Sequence, residues 1–226
     1  MDALTTANTQ RLANASAQQR QLAFELSATI AAIHHRGWCD GTGGNFSCVL
    51  QQSPLRLLMA PSGVHKGCLR PEELIVVDGS GKVVRGQGRA SAETLLHLAI
   101  VMETGAGAVL HTHSQSGTLL SQHVAGGSGG TGKLHLEDLE MLKGLEGISS
   151  HTTAVDVPVL ANNQDLRCLS AEARPHLPGA PHGLLIAGHG LYAWGADLTM
   201  ARRHLEIHEF LLEQYWRRLL LAALSR

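Results

Sequence analysis

The sequence predicts one α/β domain, and three observations lead there. Short apolar runs bounded by proline or glycine turns, such as Leu57-Leu58-Met59 and Gly183-Leu184-Leu185-Ile186, read as buried strands, whereas longer segments with apolar residues three and four apart read as helices. The two kinds alternate along the chain. The 226 residues, 44% hydrophobic and 16% charged, suffice for one sizeable core without forcing a second. A net charge of −1 offers no field to attract nucleic acid or an anionic membrane. Four scattered cysteines (Cys39, Cys48, Cys68, Cys168) form no C-x-x-C pair, so reduced thiols and a cytoplasmic setting are expected. No signal peptide is read at the N-terminus, and no apolar run reaches membrane-spanning length.

In chain order, residues 1–15 are polar without a strong period and are expected to form an extension, with the domain proper at 16–226. Ser16 is a candidate cap for a helix to about His35, with Leu22, Leu26, Ile30 and Ile33 as its apolar stripe and Gly37 beyond its end. The turn Gly41-Thr42-Gly43-Gly44-Asn45 feeds a strand at Cys48 to Leu50. Its glycines suit either an anion-binding nest or a tight turn. Strands at Leu57–Met59 and Leu74–Val77 flank the loop Pro61-Ser62-Gly63-Val64-His65-Lys66, whose composition suits a phosphate or a solvated loop alike. Asp78-Gly79-Ser80-Gly81 reads as a hairpin turn, and Ser91 as the cap of a helix carrying Leu95, Leu96, Leu98 and Met102.

That helix leads through Gly105 into Ala108-Val109-Leu110-His111-Thr112-His113. On an extended backbone His111 and His113 share one face while Thr112 takes the other, so a strand end presents two imidazoles together. Fourteen histidines in all favour metal or acid–base chemistry. A catalytic zinc takes three protein ligands and keeps a position open. His189, between Gly188 and Gly190 at a second strand end, is the best-placed third ligand; His135, His151 and His204 are less well placed.

A helix is expected over Ser114–His123. Gly126 to Lys133 approaches a P-loop but has Leu134 where Ser or Thr would bind magnesium, and reads as a flexible insertion. Leu139 to Gly144 is a short amphipathic segment. Pro158 suggests an edge position for the strand Ala154–Leu160, a helix is expected over Ala171–His176, and Leu191–Gly195 should pair with the strand before it. A long helix closes the chain at about Leu198–Leu224.

Several motifs together resemble the class II, zinc-dependent aldolases from about Gly37 to Trp194. They are Gly41-Thr42-Gly43-Gly44-Asn45-Phe46-Ser47, Ala60-Pro61-Ser62-Gly63, Ser91-Ala92-Glu93, the histidine strand, Leu139-Glu140-Met141-Leu142-Lys143-Gly144, and Gly188-His189-Gly190-Leu191-Tyr192-Ala193-Trp194-Gly195. The first, the Glu140 segment and the Tyr-Ala-Trp-Gly ending are similar to the branch that dehydrates 5-methylthioribulose 1-phosphate in methionine salvage. The resemblance implies a mostly antiparallel central sheet flanked by helices. It implies one zinc ion on His111, His113 and His189, and Glu140 as the acid/base that takes the C3 proton and returns it to the leaving C4 hydroxyl. It further implies phosphate contacts from Asn45, Ser62, Gly63 and Ser91 and a homotetramer with sites near subunit interfaces; Lys66, in the same loop as Ser62, is an extra candidate that the resemblance does not assign. Read alone, the Glu140 segment is more readily a solvated helix carboxylate, and only the resemblance reverses that. Glu93 is the secondary candidate, because the aldolases carry their acid/base there. An aldolase or epimerase of sugar phosphates would use the same zinc site with Glu93. A non-enzymatic binding module of the adducin type would lack the histidines that this chain keeps.

Overall fold

The computed structural model describes residues 3–225, with side chains from residue 17 onward. Five α-helices are described: α1 (Ala3–His35), α2 (Thr94–Thr104), α3 (Gln115–Ala125), α4 (Leu166–Ala173) and α5 (Leu198–Leu224). Nine strands join them: β1 (Asn45–Gln51), β2 (Arg56–Met59), β3 (Ile75–Asp78), β4 (Val83–Arg85), β5 (Ala108–Thr112), β6 (Gly132–Glu137), β7 (Ala154–Leu160), β8 (Gly183–Ile186) and β9 (Gly190–Gly195). They form one sheet in the order β4-β3-β2-β1-β5-β9-β8-β7-β6. Every described pairing is antiparallel except β7 with β8. Parallel neighbours need a crossover, and α4 lies in that connection. Among the described residues no helix is long and apolar enough to cross a membrane.

Residue parity divides the core. On one face Phe46, Cys48, Leu110 and Ala193 pack with Leu26, Ile30 and Ile33 of α1 and with Leu205 and Leu212 of α5. On the other, Met59, Val109, Tyr192 and Trp194 pack with Leu96 and Ile100 of α2 and Leu169 of α4. The α1 stripe is the expected one, and Gly37 follows the helix with φ 72°. The helix itself begins well before Ser16, so Ser16 lies inside α1 and is not its cap; the packing of residues 1–15 falls outside the described side chains. The four cysteines are free thiols.

Four further expectations are corrected. The strand carrying Pro158 is not at the edge: β6 pairs along it, with Lys133 opposite Pro158. β8 pairs with β7 only at Val159 and Leu160, beyond the proline, so the missing N–H disturbs none of that register. The glycine-rich stretch is not an insertion throughout. Gly126 (φ 69°) caps α3, and from Gly132 the chain becomes β6, with Leu134 and Leu136 buried and Lys133, His135 and Glu137 exposed. The helix expected at 171–176 starts earlier, because Asp165 accepts from the backbone N–H groups of Arg167 and Cys168; only a 3-10 turn remains at Arg174–His176. Ser91 is not the cap of α2. Its hydroxyl accepts from the Glu93 N–H at 3.3 Å, and Glu93 itself holds the cap position.

Candidate metal centre

Register brings the site together. Asn45, His111 and Tyr192 lie side by side on β1, β5 and β9, and in-register residues of adjacent strands face the same way. The Tyr192 ring therefore stacks on His111, centroids 3.9 Å apart and planes within 10°. Thr112 faces the opposite layer, where its hydroxyl donates to Glu209 of α5 at 2.5 Å.

His113 follows β5, its N–H held by the Trp38 carbonyl at 2.7 Å. A side chain at Gly43 would put its Cβ 2.9 Å from His113 Nδ1, so the glycine-rich turn packs directly behind that ring. His189 sits in the β8–β9 turn, which α3 fixes through Thr118 to the His189 carbonyl (3.3 Å) and the Gly188 N–H to Ser121 (3.1 Å). Glu93 arrives from the cap position of α2, where the Asn45 side-chain amide donates to its carboxylate.

The ligand-type atoms of Glu93, His111, His113 and His189 all lie within 4.8 Å of one another. His111 Nε2 is 2.8 Å from His113 Nε2 and 3.4 Å from His189 Nε2. Glu93 reaches His189 Nε2 at 2.9 Å and His111 Nε2 at 3.6 Å. His111 Nδ1 faces the Leu191 carbonyl at 2.9 Å, which assigns the proton to Nδ1 and leaves the Nε2 lone pair aimed at the other rings. Burial first, then the neighbouring His111 and His189, pushes the His113 pKa down to about 3. It is therefore a neutral donor near pH 7. Burial opposes ionisation of Glu93, but hydrogen bonds with His111 and His189 outweigh it and hold the carboxyl well below its usual range. Three converging imidazole nitrogens with a carboxylate alongside fit a divalent cation of the zinc kind.

Of the expected anion contacts, Ser62 and Ser91 line one open cavity of about 840 Å³ with Arg89 and Arg167. Gly63 turns beside Ser62 with φ 74°, whereas Asn45 is engaged at the Glu93 end. Glu140 is apart from the cluster. It opens the 3-10 turn Glu140–Gly144 with its side chain 68% exposed, paired with Lys143 and, at 3.8 Å, with His151; the Lys143 hydrogen bond is the main cause of its lowered pKa. In the sequence Tyr192 stands only as part of a motif. Its stacking on His111 depends on the β5–β9 register, and no local signal announces it.

The family described as Class II Aldolase and Adducin N-terminal domain matches residues 24–216. A methylthioribulose-1-phosphate dehydratase of Xanthomonas campestris pv. campestris is 43% identical over 208 residues, 91% of this chain and 93% of that protein. Its namesake in Methylococcus capsulatus is 42% identical over 194 residues, 84% and 91% of the two chains. Among solved structures, YgbL of Escherichia coli shares the fold with TM-score 0.73 at 24% identity, covering 88% of this chain and 89% of its own. The L-fuculose-1-phosphate aldolase of Thermus thermophilus is 27% identical with TM-score 0.64, covering 94% and 97%. The chain belongs to the class II aldolase and adducin N-terminal domain family.

Proposed function

We propose that this protein is a zinc-dependent hydro-lyase that dehydrates 5-methylthioribulose 1-phosphate to 2,3-diketo-5-methylthiopentyl 1-phosphate and water, a step of methionine salvage. The observation that carries the reading is the convergence of three imidazole Nε2 atoms at the sheet end. The names of the relatives matched over most of both chains supply the substrate.

His111, His113 and His189 would hold one zinc ion, which when bound supplies Lewis-acid polarisation of the C2 carbonyl. A carboxylate is too weak a base for an unassisted C–H beside a ketone, so the base must work next to that polarised carbonyl. Glu140 takes the C3 proton, and the electron pair moves into the C2 carbonyl. The pair then returns to expel the C4 hydroxyl, which leaves as water with the proton that Glu140 gives back. The remaining enol tautomerises to the diketone. Because Glu140 is exposed and outside the cluster of its own chain, it acts on the site of a neighbouring copy in a homotetramer. Glu93 holds Asn45 and the ligand rings in place. Asn45, Ser62, Gly63 and Ser91 take the phosphate. The exposed Leu220, Leu221 and Leu224 near the end of α5 are surface that a neighbouring copy would cover.

One observation favours a second reading. Glu93, not Glu140, lies at the cluster, as an aldolase or epimerase of sugar phosphates would require. Product mass decides between them. The zinc-loaded protein should release a product lighter by one water from 5-methylthioribulose 1-phosphate. Glu140→Gln should lower kcat by about 10²- to 10⁴-fold with zinc content unchanged. Water loss at an unchanged rate in Glu140→Gln would move the role to Glu93, and cleavage into two fragments would replace dehydration by aldol chemistry.

A further inference from the structure

Of the four lysines in the chain, Lys66 alone is buried, at 1% exposure. Its Nζ donates to the Thr42 carbonyl at 3.1 Å and the Val64 carbonyl at 3.0 Å. Among the described residues no carboxylate lies within ion-pair distance of it, and its third N–H has no acceptor. An ammonium taken from water without a counter-charge is costly, and two neutral carbonyls offset only part of that cost. Burial accordingly pushes the Lys66 pKa down, against the opposing pull of Cys39 and Glu93.

The carbonyls it grips are informative. Thr42 belongs to the glycine-rich turn that packs behind His113, and Val64 ends the Ser62-Gly63-Val64 turn. Lys66 therefore ties the loop of the phosphate end to the loop of the metal end. Its unbalanced charge lies beneath both.

We infer that Lys66 is the positioning residue for the substrate's phosphate: a buried, fixed cation that clamps the two loops and whose charge is balanced when a phosphate dianion seats against them. This rests on the proposal that the substrate is a phosphate monoester. It explains why a lysine, rather than a neutral donor, occupies a position where two carbonyls could be satisfied by an amide.

The test uses inorganic phosphate with the zinc-loaded full chain. Nitrogen-15 lysine labelling yields four side-chain signals, and Lys66→Arg assigns the one of interest by its disappearance. Phosphate should shift the Lys66 signal and leave those of Lys82, Lys133 and Lys143 in place. Lys66→Met removes clamp and charge together, whereas Lys66→Gln keeps two N–H donors without charge. Both should weaken phosphate binding by about tenfold or more with zinc content retained, and raise KM by a like factor with kcat within about threefold. An unmoved Lys66 signal, or a folded Lys66→Gln that binds phosphate within about twofold of the native protein, overturns the inference. If Lys66→Met does not fold, the native spectrum and Lys66→Gln still decide. The two readings fail separately. Phosphate binding through Lys66 without water loss from the ketose phosphate sinks the dehydratase alone, and water loss without any effect at Lys66 sinks this inference alone.

Discussion

Two groups of three histidines sit in this molecule, and they differ in where their ring nitrogens point. In His111, His113 and His189 the rings meet edge to face or tilted, at centroid distances of 4.6–4.9 Å, and their Nε2 atoms face one another. In the second group His182 and His204 lie nearly parallel, centroids 4.1 Å apart and planes 23° apart. There His204 Nδ1 donates to the Trp194 carbonyl at 2.7 Å while its Nε2 accepts the Glu146 N–H at 3.3 Å, and His208 Nε2 donates to the Pro181 carbonyl at 2.8 Å. Ligand-type atoms of Glu146, His182 and His204 also come within 4.8 Å of one another. Proximity therefore does not separate the groups; lone-pair direction does. In-plane lone pairs of stacked rings run side by side, and that of His204 is already taken by a backbone N–H. The first group leaves its nitrogens for a cation, whereas in the second His204 and His208 spend theirs fastening α5 to β9 and to the segment before β8, and His182 Nδ1 is left without a partner among the described residues.

The largest expected effects would break this comparison if they fell the other way. His189→Ala should lose the bound metal and lower activity by about 10³-fold or more, because several kcal/mol of charge stabilisation leave with the ion. His204→Ala should keep the metal and instead lower stability by about 2–3 kcal/mol, since it strands the buried Trp194 carbonyl and opens a void. Metal content by mass spectrometry and urea unfolding read the two outcomes. Metal loss in His204→Ala would erase the distinction.

The same contrast shows what can be read from the sequence. His111 and His113 on one face, with Thr112 opposite, follow from strand parity and are borne out as geometry. The β3–β4 and β8–β9 hairpins, α5 and the α1 stripe also follow from local patterns. β6 escapes notice although Gly132–Glu137 alternates cleanly, because the glycines before it imitate a phosphate loop. The start of α4 is signalled by Asp165, a single capping residue with only a short helix behind it. Other facts have no local trace. The penultimate place of β7, the approach of Glu93 to His189, the stacking of Tyr192 and the burial of Lys66 all depend on which distant segments the sheet brings together.

Acid sensitivity should mark the packing group next. Burial, aided by the charges of His204 and His182 and opposed by the Pro181 carbonyl, pushes the His208 pKa down from 6.5 to about 4. The folded state thus keeps His208 neutral where the unfolded chain would already bind a proton. The stability it contributes is complete above about pH 6.5 and is lost as pH falls towards 4, a difference of about 2.5 pH units or about 3 kcal/mol. His208→Gln, which keeps a donor for Pro181, should lose less stability than the native protein over that interval in denaturant titrations at pH 7, 5.5 and 4. Equal slopes would mean that His208 is not held neutral by its surroundings.

The smallest effect tests the boundary between the two faces at a single residue. Thr112 lies between the two cluster-facing histidines in sequence, yet its hydroxyl belongs to Glu209 on α5. Burial pushes the Glu209 pKa up to about 7, with Ser114 and Thr112 pulling against it. Thr112→Val preserves shape and strand propensity, and removes one donor from a buried carboxyl whose other oxygen has no partner among the described residues. It should cost about 1–2 kcal/mol of stability and raise the Glu209 pKa further. Because the lost bond lies on the far side of β5, metal affinity should change by no more than about threefold, below the effects expected from groups that orient a ligand directly. A tenfold loss of metal affinity with unchanged stability would place Thr112 functionally with the histidines, and alternation along β5 would no longer separate the chemistry of this strand from its packing.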